Sequence, residues 1–98
     1  MTKDEKLRIR QAIVDRKTAY TLVFGGEDGH LGQAVQHVNR DLEKFCRANE
    51  STFHVDARVH SLLEGRREVM LRIRDYLTLS VEEILLKYDG RKELLHVD

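Results

Sequence analysis

No proline occurs in the 98 residues, so no position fixes φ or withdraws a backbone N–H from a helix. Long uninterrupted helices are therefore open to this chain. Cysteine appears once, at Cys46, which excludes an internal disulfide and fits synthesis in a reducing cytoplasm. No stretch approaches the ~18 consecutive apolar residues of a membrane span. No apolar segment follows the charged start Met1 to Arg10, so no secretion signal is expected. Net charge is missing too: 17 Lys and Arg balance 17 Asp and Glu, and no long-range field selects nucleic acid or a membrane. The balance is locally uneven, since residues 1–24 carry six basic against three acidic side chains. Repeats, low-complexity tracts and catalytic or cofactor motifs are all absent.

What remains is rich in Leu, Arg, Glu and Lys, a composition that favours helix almost throughout. Leu7, Ile9, Ala12, Ile13, Ala19, Tyr20, Val23 and Phe24 recur at helical spacing and predict a helix over 3–24 with a basic outer face. Gly25-Gly26-Glu27-Asp28-Gly29 stops it and offers a positive-φ cap. Leu31, Val35, Val38, Leu42 and Phe45, spaced four, three, four and three, predict the buried stripe of a second helix, with Ala34 and Cys46 broadening it. Asn49 to Thr52 is turn chemistry, and Phe53 is expected to tuck that loop onto the core. Asp56 is the expected N-cap of a third helix running to about Leu79, whose buried side is Val59, Leu62, Leu63, Val69, Met70, Ile73, Tyr76 and Leu77. Ser80-Val81-Glu82-Glu83 is a capping box for a short fourth helix that Gly90 ends. The expected fold is all-α, a small bundle of three long helices plus a short C-terminal fourth, forming a single domain over 1–98. Residues 91–98 form a tail whose Leu94, Leu95 and Val97 are expected to dock on a neighbour.

Chemistry-bearing clusters are few. The glycines at 25, 26, 29 and 32 free backbone amides as a phosphate cradle does, but the segment carries two carboxylates, follows a helix rather than a strand and has no Lys-Ser/Thr pair. An interhelical turn explains them. Asp56, His60 and Glu64 share one helical stripe at metal-ligand spacing, yet a tight site needs ligands from a second element. His30, His37, His54 and His96 are too scattered to supply one, so neither metal nor cofactor is expected. Cys46, beside Phe45 on an apolar stripe, reads as core filler.

The densest signal is Glu64-Gly65-Arg66-Arg67-Glu68-Val69-Met70-Leu71-Arg72-Ile73-Arg74. A glycine inside a helix costs about 1 kcal/mol against alanine, so a close helix or partner backbone is expected at Gly65. Arg66, Arg67, Arg72 and Arg74 with Glu64 are the expected interaction residues. The arginines could contact phosphates, but Glu64, Glu68 and Asp75 interleave them, and pairs such as Glu64 with Arg67 and Glu68 with Arg72 would neutralise one another. A helix-turn-helix is disfavoured as well, because the connection between the second and third helices runs to about eight to ten residues where that motif uses three or four.

Phe24, Gly32-Gln33, Asp41-Leu42, Phe45-Cys46, Ser51-Thr52-Phe53, Glu64-Gly65-Arg66-Arg67-Glu68-Val69 and Arg72-Ile73 occur in an order that resembles a family of small proteins of tailed bacteriophages. That family is typified by a product of the structural gene module of a Bordetella short-tailed phage. The match spans about residues 19–88, with a slightly longer stretch here between Gly32-Gln33 and Asp41-Leu42. The resemblance implies a virion-associated or assembly role near the portal and head genes, and carries over no catalytic residue. The expectation is a non-enzymatic structural component, located in the virion and in the host cytoplasm during assembly. Its expected partners are phage structural proteins, portal or neighbouring head-tail proteins among them, together with further copies of itself. Membrane is not expected. The alternative is a small phage regulator that binds nucleic acid or a host protein through the arginine-bearing third helix.

Overall fold

The computed structural model describes the backbone of residues 1–26 and 29–97, and their side chains except those of Gly29 and His30. Glu27 and Asp28, within the glycine-rich turn discussed above, and Asp98 lie outside the described residues. The elements are α1 (Lys3–Phe24), α2 (Gly29–Phe45), α3 (Ala57–Thr78) and α4 (Val81–Ile84). The last winds on as a π-turn over Leu85–Asp89 and is followed by a 3-10 turn over Lys92–Leu95. There is no strand among the described residues, and the fold is all-α with three long helices and a short fourth, as the composition and periodicity predict.

Local side-chain chemistry sets the boundaries. Thr2 accepts the Glu5 amide at 3.2 Å and starts α1. Asp56 takes the amides of Arg58 and Val59 at 2.8 and 3.4 Å and starts α3. Ser80 and Glu83 close the expected capping box at 3.2 Å in both directions. Gly90, with φ at 80°, ends the fourth helix in the left-handed region. Gly25 works otherwise than expected. Its φ is −98°, and a Cβ there would lie 2.7 Å from the Thr21 carbonyl oxygen, so the glycine answers to a close approach of backbone rather than to a positive φ.

Packing divides the apolar positions differently from the sequence expectation. Cys46, Ala48, Met70 and Ile73 form one buried cluster, with Tyr20, Phe24, Leu42 and Leu77 against it. Tyr76, Ile84, Leu85 and Leu94 are fully enclosed beside it. Leu94 corrects the expected tail: the last turn docks on its own chain, and the Leu94 carbonyl accepts from Arg10 Nη1 at 2.9 Å. Helix α1 has no fully buried residue, and presents the half-buried line Ile9, Ile13, Tyr20 and Phe24. Its cations do not all face outward. Arg10 also pairs with Glu82 at 2.9 Å, Arg16 donates to the Tyr76 hydroxyl at 3.0 Å, and Lys17 donates to the Tyr76 carbonyl at 2.9 Å. That carbonyl belongs to the last turn of α3, where helical oxygens have no partner of their own. A cation is therefore the natural complement there.

The molecule is flat, with extents of 47 × 41 × 14 Å, a slab no thicker than two helix layers. Its radius of gyration is 16.5 Å, against about 13 Å for a compact chain of this length. Flatness limits what can be buried. On α2, Leu42 reaches the core and Val35 is half-buried, but Leu31, Val38 and Phe45 are 81, 51 and 58 % exposed. On α3, Leu63, Met70, Ile73 and Tyr76 are buried while Val59, Leu62 and Val69 face solvent. Phe53 is 74 % exposed, and buried Thr52 tethers its loop instead.

Candidate interaction surface

The expected interaction residues all lie on α3, where 100° per residue puts Arg66, Arg67 and Arg74 on one side of the helix and Arg72 on the other. Arg66 places its guanidinium 4.6 Å from the Phe45 ring centre. Arg72 lies 5.1 Å from the ring of Tyr76 and 4.8 Å from that of Tyr88. Arg74 donates to Asn49 Oδ1 at 3.0 Å and pairs with Glu43 at 3.4 Å, which ties the end of α2 to α3. Arg67 has its Nε buried with no hydrogen-bond partner. The Glu64–Arg67 and Glu68–Arg72 pairs expected along the helix do not form among the described residues. Aromatic rings and the 43–49 segment of the same chain offer Arg66, Arg72 and Arg74 partly desolvated partners, and the Glu64 carboxylate is taken by Thr52.

Glu64 has a local task. It accepts the Thr52 hydroxyl, while His60 Nδ1 lies 3.1 Å from the Thr52 carbonyl oxygen, and Thr52 itself is buried. Asp56 caps α3. Asp56 is thus engaged with the first turn of the helix, and His60 and Glu64 with the loop before it; among the described residues no three His, Cys, Asp or Glu side chains converge.

At Gly65 the expected close helix is not supplied by this chain. The glycine is exposed, and a Cβ added there would meet nothing within 4 Å, so no element of this chain packs on it. It instead lines an open groove of about 470 Å³ with Glu68, Val69, Leu71, Arg72, Lys87 and Tyr88. Exposed Leu62 lies one turn before it on the helix.

One wall of the groove is held by a polar knot that sequence spacing did not reveal. Asp75 accepts from Lys87 Nζ and from the Tyr88 hydroxyl, each at 2.6 Å. Burial pushes the Asp75 carboxyl up, but those two hydrogen bonds outweigh it and hold the group below the usual carboxylate range. Burial, followed by the Asp75 hydrogen bond, pushes the Tyr88 phenol up to about 12. Tyr76 stacks on Tyr20 of α1 at 4.7 Å between ring centres and continues toward Tyr88 at 6.1 Å. Aromatics distributed over α1, α3 and the π-turn give no local signal, because only the tertiary fold makes them neighbours.

The site is thus an apolar groove with a charged edge on an all-α scaffold, a surface suited to contact another helix. The class so defined is a small helical phage protein, since residues 20–87 match the family model described as Bbp19-like phage protein. The chain belongs to that family. No curated protein matches the chain, and no solved structure does. No helix among the described residues is long and apolar enough to cross a membrane.

Proposed function

We propose that this chain is a non-enzymatic component of the phage particle or of its assembly, held near the portal and head-tail region by helix-face contacts with other phage structural proteins. In this reading it resides in the host cytoplasm during assembly and in the virion afterwards. The observation that carries the proposal is the α3 groove at Gly65. A glycine that no element of its own chain requires, set between exposed Leu62 and Val69, leaves room for a partner helix to approach the α3 backbone. Membership of a phage family supplies the setting.

The arginine geometry favours protein over nucleic acid as partner. A phosphate-binding face needs cations side by side and free, whereas Arg66, Arg72 and Arg74 are engaged with Phe45, with Tyr76 and Tyr88, and with Asn49 and Glu43. Quantitative mass spectrometry of purified particles and of assembly intermediates tests the proposal. The chain is expected at a fixed ratio to the portal protein, and cross-links should emanate from Lys87 at the groove edge. Absence from both particles and intermediates overturns it.

A further inference from the structure

The groove on α3 is not the only apolar surface this fold leaves open. Leu31, Val38 and Phe45 run along the outside of α2. A shallow groove of about 210 Å³ adjoins them, lined by Val23, Phe24, Leu31, Ala34, Val35 and Val38. We propose that a second copy of this chain covers this face, the two α2 helices pairing side by side in an isologous dimer.

Area supports the occupant. A compact monomer of 11.5 kDa exposes about 5,800 Å², whereas this chain exposes 7109 Å². The surplus of about 1,300 Å² is larger than the ~800 Å² each partner buries in an ordinary stable interface. Part of that surplus is the α2 face, whose exposed apolar residues would remain in water in an isolated chain.

Sequence pattern points to a copy rather than a different molecule. Leu31, Val38 and Phe45 are exposed at seven-residue intervals, a straight apolar line along α2 that fits the same line on a second copy. The small residue Ala34 is exposed and lines this groove, so the backbones of two such helices can come close there. Charge imposes no barrier, since Arg40 and Lys44 on α2 are offset by Asp41 and Glu43. A polyanion or an anionic membrane finds no net positive charge to draw it there. The pairing stands apart from the particle reading: a chain that never entered a virion would still form it.

The test is the molar mass of the purified full chain by sedimentation equilibrium and light scattering across micromolar to millimolar concentration. Twice 11.5 kDa is expected at the upper end. The double variant Leu31→Glu/Val38→Glu should return to the single-chain mass with an unchanged helical circular dichroism signal, because both side chains are exposed in the isolated chain. Leu62→Glu, on α3 one turn before its groove, should leave the dimer intact. Hydrogen exchange of the wild-type α2 amides adds a readout that needs no variant, with protection expected to rise with concentration. A wild-type chain that stays at single-chain mass overturns the proposal. So does a dimer that survives the α2 double variant or is dissociated by Leu62→Glu, or α2 exchange that ignores concentration.

Discussion

Gly65 sits mid-helix with open space where a Cβ would stand, so its effect on the isolated chain is the helix penalty alone. Gly65→Ala is expected to stabilise the chain by up to about 1 kcal/mol, read as a higher urea midpoint with an unchanged slope. This reverses the sign that a close intrachain contact would give. A destabilised variant would show that the helix environment at this position is not open. Asp75 supplies a pH-dependent counterpart. Its folded carboxyl titrates below the usual range, so its contribution is present above the unfolded carboxylate value and is lost as pH falls through the lower folded one. Asp75→Asn should therefore lower the urea midpoint at neutral pH and leave it little changed at strongly acidic pH. Tyr88 acts at the other end. With the phenol raised to about 12, its contribution is complete below the ordinary value of 10.0 and is lost as pH climbs through the folded one. An alkaline limb in wild type that flattens in Tyr88→Phe checks that sign.

At the scale of elements, α1 is joined to the rest by cations as much as by apolar area, having no fully buried residue of its own. Lys17 is central, because the Tyr76 carbonyl it serves has no helical amide available: the Ser80 amide that would bond it is turned to Glu83 in the capping box. Lys17→Met keeps the aliphatic stem and removes that bond, and should cost about 1.5 kcal/mol in chemical denaturation. A variant as stable as wild type would mean that water replaces the ammonium without loss. The final turn gives a larger effect. Leu94 is fully enclosed, so Leu94→Ala should cost about 2–5 kcal/mol, whereas a tail that docked only on a neighbour would lose almost nothing. Denaturation midpoints that do not depend on protein concentration would identify that loss as intramolecular.

For the whole molecule, equal numbers of positive and negative side chains, with Arg66, Arg72 and Arg74 engaged by groups of their own chain, predict no measurable duplex binding at physiological salt. Fluorescence anisotropy with a labelled duplex decides this. Binding that falls by orders of magnitude between low and moderate salt would favour the regulator alternative instead. Periodicity and capping chemistry were enough to place the helices, because α1, the capped start of α3 and the Ser80–Glu83 box rest on interactions within a few residues of one another. Cys46 as a core residue was legible for the same reason, lying on an apolar stripe whose inner half is real. Tertiary packing alone decided which apolar positions found cover. A slab offers each helix fewer neighbours than a round bundle, so Leu31, Val38, Leu62 and Val69 were left in water although their spacing matches that of buried residues. It also turned Arg10, Arg16 and Lys17 inward, brought Asp75 to Lys87 and Tyr88, and left Gly65 open, since each depends on segments distant along the chain meeting in space.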